Sequence, residues 1–218
     1  MKIGILGTGM VGRALAGRLI ELDHGVMVGA RSTSSESLAK LADLDGLETG
    51  SFADAATFGD LLINATGGIH SIEAIASCEP TDLAGKTLLD VANMLELRPT
   101  GPPVSLASVD NCLGAQIQKT FPDAKVVKSL NTMNCNVMVD PSLVAGDHVV
   151  FVSADDSAAK DVVVGLLRGF GWRDEQIVDL GGIESAAGPE MIMPLWLSVM
   201  FARGGFDAGP FNFAVNSG

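Results

Sequence analysis

Apolar runs about as long as a strand recur along the chain, and stretches with helical spacing stand between them. The runs are residues 2–6 (KIGIL), 25–29 (GVMVG), 61–65 (LLINA), 87–91 (TLLDV), 125–130 (KVVKSL) and 148–152 (HVVFV). They lack the polar alternation of a strand with one wet face, so they read as strands buried on both sides. Val11, Leu15, Leu19 and Leu22 follow the first run at helical spacing. Residues 34–42, 71–77, 106–120 and 156–170 read as further helices, the last capped by Asp155 or Asp156. Buried strands alternating with helices predict an α/β fold, a doubly wound parallel sheet covered on both faces and wound right-handedly. Residues 97–104 (LRPTGPPV) are too proline-rich to continue either element and read as a loop.

Residues 5–19 (ILGTGMVGRALAGRL) place G-x-G-x-x-G between the first strand and the first helix. In such a loop Gly7 makes the tight turn and Gly9 lets a pyrophosphate approach the backbone. Gly12 lets helix and strand pack with no side chain between them. Thr8, Met10 and Val11 belong to the same loop, and the whole predicts a Rossmann-type dinucleotide-binding domain. The ribose is read at the end of the second strand, where an acidic residue would hold the hydroxyls of NAD. Here the sequence is Gly29-Ala30-Arg31-Ser32, with no acid. Arg31 offers a permanently charged planar fork suited to a 2′-phosphate, Ser32 adds a hydroxyl, and Thr8 can face the same pocket. The expected cofactor is therefore NADP(H).

Composition narrows the remaining possibilities. A chain of 218 residues with 47% hydrophobic content can bury one sizeable core with a small appendage. The net charge of −12 argues against nucleic acid and anionic membrane as partners. Cys78, Cys112 and Cys135 lie far apart, suggesting neither a disulfide framework nor a metal knuckle, and a reducing cytoplasm fits them. Lys2 ahead of an apolar run imitates a signal peptide, but Gly4, Gly7, Gly9 and Gly12 interrupt it and Arg13 and Arg18 charge it, so no export is expected. The absence of tyrosine excludes a tyrosine–lysine proton relay. Residues 82–87 (DLAGKT) imitate a P-loop, yet Pro80 stands where its first glycine belongs. Asn64-Ala65-Thr66 fits a glycosylation sequon but falls at an apolar strand and is set aside. His70 has two readings, a proton donor beside the nicotinamide or a solvent-facing residue that opens the next helix. Cys135 reads as a pocket-lining residue or a small apolar filler. His24 and His148 receive no role.

Residues 125–141 (KVVKSLNTMNCNVMVDP), together with GTGMVGRALAGRL, VGARS and the later GPEMIMPLWLSVMF, resemble the NADPH-dependent reductases of coenzyme F420, a deazaflavin, and their actinobacterial relatives. The resemblance runs over nearly the whole chain. It implies direct hydride passage between the stacked nicotinamide and deazaflavin rings, with no obligatory protein acid or base, so no catalytic residue is named. It places Thr8, Ala30, Arg31 and Ser32 at the 2′-phosphate, and Thr66, Gly67, Gly68 and Met133 beside the nicotinamide. Two positions depart from the family pattern. Ser35 stands where a second arginine is common, which bears on the strength of NADP preference. Gly67 stands where a proline or bulky residue is common, which bears on the acceptor.

Residues 189–202 (PEMIMPLWLSVMFA) are apolar around nearly the whole helical circumference, which predicts burial on all sides, with a kink at Pro194. As a helix they span only about 21 Å, too short for a bilayer. They are expected to pack against a second copy of the chain, and the related reductases look like homodimers closed in this way. Trp196 and Phe201 are candidates for interface anchors, for walls of the acceptor pocket, or for ordinary core. The expected division is an NADP-binding domain over 1–154 and a small part over 155–218 that completes the acceptor pocket and the dimer interface. Two other functions stay open: reduction of another flavin-like, quinone or carbonyl acceptor, and a non-catalytic NADP sensor.

Overall fold

The computed structural model describes residues 1–32, 36–39 and 41–216. Strand β1 (Lys2–Leu6) leads into α1 (Met10–Glu21), β2 (Gly25–Ala30), α2 (Glu36–Ala39), β3 (Leu47–Ser51), α3 (Phe52–Phe58), β4 (Leu61–Asn64), α4 (Ser71–Ala76), α5 (Pro80–Leu83) and β5 (Thr87–Asp90). The second half runs β6 (Leu95–Glu96), β7 (Val104–Ser105), α6 (Leu113–Thr120), β8 (Lys125–Ser129), α7 (Cys135–Val139), β9 (Val150–Ala154), α8 (Ser157–Phe170), β10 (Ile177–Asp179), α9 (Ala187–Met191) and α10 (Met193–Ala202). One sheet has the order β10-β9-β8-β5-β4-β1-β2-β3, and this is the Rossmann-type α/β fold the sequence predicts.

Each of the six expected strands is present, and the sheet adds β3 and β10 at its two edges. Neither carries an apolar run. The β3 sequence LETGS is held mainly by its main-chain ladder to β2 and is half exposed, as an edge strand can be. The expectation of a wholly parallel sheet needs correcting at one place. β9 runs antiparallel to β8, with Val127 opposite Ala154, and β10 is parallel to β9. The link between β8 and β9 holds only the five-residue α7 and a 3-10 turn, and an antiparallel neighbour needs no helical crossover. α8 packs on this sheet and β10 is one of its strands, so its layer extends beyond residue 154.

The helices are shorter or more divided than their sequence patterns suggest. The helix expected over 106–120 is confined to α6, since a turn bridged between Ser108 and Asn111 lies between β7 and its start. Of the helix expected over 34–42, Glu36–Ala39 is helical, while Ser34 and Lys40 lie outside the described residues, as does Ser35. Asp156, not Asp155, caps α8, its Oδ1 accepting from the Ala159 N–H at 2.8 Å. The proline-rich loop over 97–104 is largely the tip of the β6–β7 hairpin. Residues 189–202 form two helices instead of one kinked helix. Pro194 falls in the first turn of α10, where its missing N–H leaves no bond unmade.

Two cores sandwich the sheet. Leu15 and Leu19 of α1, Val137 of α7 and Val163, Leu167 and Phe170 of α8 cover one face. Phe52 and Ala55 of α3, Ile75 of α4 and Ile117 of α6 cover the other. A third cluster joins Met193, Trp196, Leu197 and Met200 of α10 to Leu95, Phe211 and Phe213, with the Trp196 and Phe211 rings stacked at 5.2 Å. In the single chain Leu195 (54% exposed) and Phe201 of α10, with Met191 at the end of α9, present apolar surface to solvent. His148 is structural: its ring is buried, Nε2 lies 3.0 Å from the Pro141 carbonyl, and Nδ1 lies 3.0 Å from Asn212 Nδ2 on the C-terminal tail. Among the described residues no helix is long and apolar enough to cross a membrane.

Under the carboxyl edge of the sheet lies a buried ionic cluster. Lys128 Nζ on β8 donates to Asp90 Oδ2 at the end of β5 (2.8 Å), to the Ala92 carbonyl (2.5 Å) and to Glu190 Oε1 on α9 (3.1 Å). All three charged side chains are at most 1% exposed. Glu190 also accepts from the Leu113 and Gly114 N–H groups at the start of α6 (2.7 and 3.0 Å). Burial opposes the lysine charge, but Asp90 and Glu190 outweigh it and hold the Lys128 pKa above its ordinary value. Lys128→Met preserves the volume and leaves two buried carboxylates without their cation. The expected cost is about 3–5 kcal/mol, read as a lowered denaturant midpoint at unchanged slope.

Candidate cofactor cleft

β1 is followed in space by β2 on one side and by β4 on the other, so the chain reverses its winding direction between β1 and β4. Loops leaving the carboxyl ends of strands part at such a point, and a crevice opens there. The cleft is about 800 Å³. Gly7, Thr8 and Gly9 line it from the β1 loop, Ala30, Arg31 and Ser32 from the end of β2, and Ala65, Thr66 and Gly67 from the end of β4.

The three loop glycines differ in what they allow. Gly7 sits at φ 121°, and a Cβ there would lie 2.5 Å from the Ala65 carbonyl oxygen. A Cβ at Gly12 would lie 2.0 Å from the Gly7 carbonyl oxygen, so α1 packs directly on its own entry turn. A Cβ at Gly9 would meet nothing within 4 Å. That open space lies at the start of α1, where Gly9 is the N-cap and no side chain caps the first N–H groups. Unsatisfied N–H groups and the positive end of the helix dipole favour an anion there. Arg31 is exposed at the cleft, and among the described residues it forms no ion pair. The cleft therefore fits a dinucleotide: it has an open backbone cradle for the pyrophosphate and an exposed guanidinium for a 2′-phosphate.

Some predicted residues lie elsewhere. Met10 is exposed and Val11 packs partly against the core, both on the first turn of α1 beside the cleft. Gly68 is buried, and a Cβ on it would collide with the Asn93 main chain at 2.4 Å, so its bareness serves packing. Met133 is 5% exposed within the core cluster of α1, α7 and α8 and is not part of the cleft lining. His70 combines features of both its readings, since it opens α4 and is exposed, yet also lines the cleft. Cys135 is half buried, away from the cleft lining, with its thiol pKa pushed up by burial. Among the described residues no group of three or more His, Cys, Asp or Glu side chains is placed to hold a metal.

Ser51, Phe52 and Ala53 at the start of α3, Glu73 and Ala74 of α4, and Ser77 just after it complete the lining and were missed in the sequence. One signal for the first group was available. Ser51-x-x-Asp54 is a capping box: Ser51 Oγ accepts from the Asp54 N–H (3.1 Å) and Asp54 Oδ2 accepts from the Ser51 N–H (2.8 Å). The Ser51 hydroxyl, which donates to Asp54 Oδ2 at 2.7 Å, and the Ser51 N–H together hold the Asp54 carboxyl below its usual pKa.

Residues 2–94 match the family described as NADP oxidoreductase, coenzyme F420-dependent. The crystal structure of a candidate F420-dependent NADP-reductase from Arthrobacter sp. FB24 is 43% identical, covers 100% of both chains and superimposes with a TM-score of 0.90. Rat metalloreductase STEAP3 is 27% identical over 202 residues, 89% of this chain but 38% of STEAP3, so the chain spans well under half the length of that relative. The Sinorhizobium meliloti protein SMa0349, at 23% identity, shares the fold with a TM-score of 0.70 over 99% of this chain and 96% of its own.

The glycine geometry separates two effects. Gly9→Ala is expected to leave thermal stability within about 0.5 kcal/mol while weakening NADPH binding roughly tenfold. Gly12→Ala is expected to destabilise the fold itself by about 1–3 kcal/mol through overpacking. Thermal melts beside NADPH titrations of both variants distinguish them.

Proposed function

The chain belongs to the family of coenzyme F420-dependent NADP oxidoreductases and is an NADPH-dependent oxidoreductase, and from that premise we propose that it passes hydride between NADPH and the deazaflavin coenzyme F420. The observation that carries the cofactor half of this reading is Arg31, exposed and among the described residues without an ion pair, at a cleft whose second strand ends without an acid. A carboxylate there would repel a 2′-phosphate, whereas a guanidinium attracts it. In this reading Thr8, Ala30 and Ser32 complete the 2′-phosphate pocket, and the Gly7–Gly12 loop with Met10 and Val11 holds the pyrophosphate. Thr66, Gly67 and Gly68 stand at the nicotinamide end, with Met133 behind them.

When bound, the nicotinamide supplies the hydride. The protein's task is then to hold two planar rings in contact and keep water away, which calls for shape more than for a titrating side chain. The segment within 155–218 that follows β10 is proposed to complete the acceptor pocket and to pair with a second copy of the chain through the exposed face of α10. Leu195 and Phe201 on that face support the reading, as apolar side chains grouped on one exposed face mark an interaction surface. The free thiols of Cys78, Cys112 and Cys135 suit a cytoplasmic protein.

One observation favours a second reading. A side chain at Gly67 would meet only the edge of His70, at 3.8 Å, so the ring end of the cleft has room for another flavin-like, quinone or carbonyl acceptor.

Three outcomes are expected. The purified protein oxidises NADPH with F420 as acceptor, followed by the absorbance of both, and turns over little with NADH. Tight NADPH binding without turnover would exclude F420 and direct attention to the second acceptor class or to a sensor. Arg31→Ala weakens NADPH binding by about 1.5–3 kcal/mol and leaves NADH nearly unchanged; equal loss for both would defeat the specificity assignment. Leu195→Asp converts a dimer to a monomer in light scattering, and an unchanged mass would remove α10 from the interface.

A further inference from the structure

Thr66 lines the cleft at the end of β4, and its hydroxyl belongs to a chain of hydrogen bonds that runs inward to the buried lysine. The proton positions along this chain are fixed by charge. Lys128 directs its three protons to Asp90 Oδ2, Glu190 Oε1 and the Ala92 carbonyl, so Asp90 stands as a carboxylate that can only accept. Its second oxygen, Oδ1, lies 2.8 Å from the Asn64 side-chain amide and 3.2 Å from the Ala92 N–H. Asn64 must therefore turn its NH₂ toward Asp90, because the opposite orientation would set a carbonyl oxygen against a carboxylate.

The remaining bonds follow from that one orientation. The second amide hydrogen of Asn64 goes to Ser71 Oγ at 2.9 Å. Asn64 Oδ1 then faces Thr66 Oγ1 at 2.7 Å and can only accept, so the Thr66 hydroxyl donates to it. Ser71, 2.9 Å from Thr66 Oγ1, supplies its own proton to that oxygen. The Thr66 backbone N–H also points to Asn64 Oδ1, at 3.3 Å. Both hydrogens of Thr66 are thus committed inward, leaving one lone pair of Oγ1 to offer a ligand.

We propose that Thr66 meets the bound dinucleotide as a hydrogen-bond acceptor, locked in that polarity by Asn64, Asp90 and Lys128, and so selects a donor group on the nicotinamide half. This rests on the NADP reading given above. The shared chemistry is an O–H or N–H donor, which is either a ribose hydroxyl or the carboxamide NH₂. Arg31 and the open N–H groups of the glycine loop are donors suited to phosphate, whereas Thr66 lies two strands from Arg31, about 10 Å across the sheet. An acceptor there repels phosphate oxygens and attracts the sugar or amide. The two ends of the cleft therefore have opposite polarity, which orients the dinucleotide. Asn64, Asp90 and Lys128 act through Thr66 and are positioning residues.

The test compares Thr66→Val with Thr66→Ser by direct titration of NADPH and of adenosine 2′,5′-bisphosphate, which lacks the nicotinamide half. Thr66→Val is expected to bind NADPH about tenfold more weakly, with bisphosphate affinity within about twofold of wild type, and Thr66→Ser to retain both. Unchanged NADPH binding by Thr66→Val, or equal loss for both probes, overturns the proposal. The 3-acetylpyridine analogue of NADP, which lacks the carboxamide NH₂, separates the two donors. If Thr66→Val weakens the analogue as much as NADPH, the ribose hydroxyl is the donor; if the analogue is insensitive to the variant, the carboxamide is. Asp90→Asn frees Asn64 to turn over and Thr66 to point its hydrogen outward. It is expected to weaken NADPH but not the bisphosphate, and wild-type NADPH affinity in this variant overturns the lock. Failure of the NADP reading would show separately, as wild-type protein binding NADH as tightly as NADPH.

Discussion

Lys128 is a cation with no access to water, and the fold is arranged to satisfy it. An isolated ammonium at this depth would be prohibitively unfavourable, so its three protons must all find acceptors in the same place. Those acceptors come from the end of β5, from the turn after it and from α9, more than sixty residues further along the chain. Glu190 in turn accepts from the first N–H groups of α6. A single buried charge thus fixes the relation of two central strands, the helix beside them and the C-terminal segment. The two carboxylates leave an excess negative charge, and the orphan donors at the start of α6 offset part of it.

The same cluster reaches the cleft. Asp90 orients Asn64, and Asn64 holds Ser71 and Thr66, so the rim of the β4 loop is tied to the interior by bonds of defined direction. The other side of the cleft is built differently. There the backbone itself is the ligand-facing surface, kept bare by glycine, and Arg31 supplies a positive charge in solvent. An oxidoreductase that must seat a large polyanion in one orientation gains from this contrast: charge gathers the phosphates at one end, and a fixed acceptor is available at the other.

Much of this architecture was legible in the chain. Strands buried on both faces are continuous apolar runs, and helices between them force a layered α/β arrangement, so the central sheet, its Rossmann winding and the glycine loop could be read directly. Edge strands β3 and β10 could not, because a strand held mainly by its main-chain ladder needs no apolar signature. The antiparallel turn at β9 was hidden for a related reason, since strand direction depends on how the connection packs and not on the composition of the strand. The uniform apolarity of α10 suggested burial all round with help from a second copy of the chain, and in the single chain one side of it is open.

By itself the sequence determined the periodicities, the turn chemistry at Gly7, Gly9 and Gly12, and the exchange of an acid for Arg31, because each is a local property of residue type and spacing. Only the tertiary structure decided that Lys128, Asp90 and Glu190 meet. It also decided that Gly68 and Met133 are buried against neighbouring segments, that α3 and α4 furnish one wall of the cleft, and that the Thr66 hydroxyl meets Asn64 and Ser71. Those outcomes depend on which segments distant in the chain are brought within hydrogen-bond reach. A lysine in an apolar strand reads as an exception until its carboxylates arrive from elsewhere. The direction of a hydroxyl proton is set not by the threonine but by the nearest buried charge.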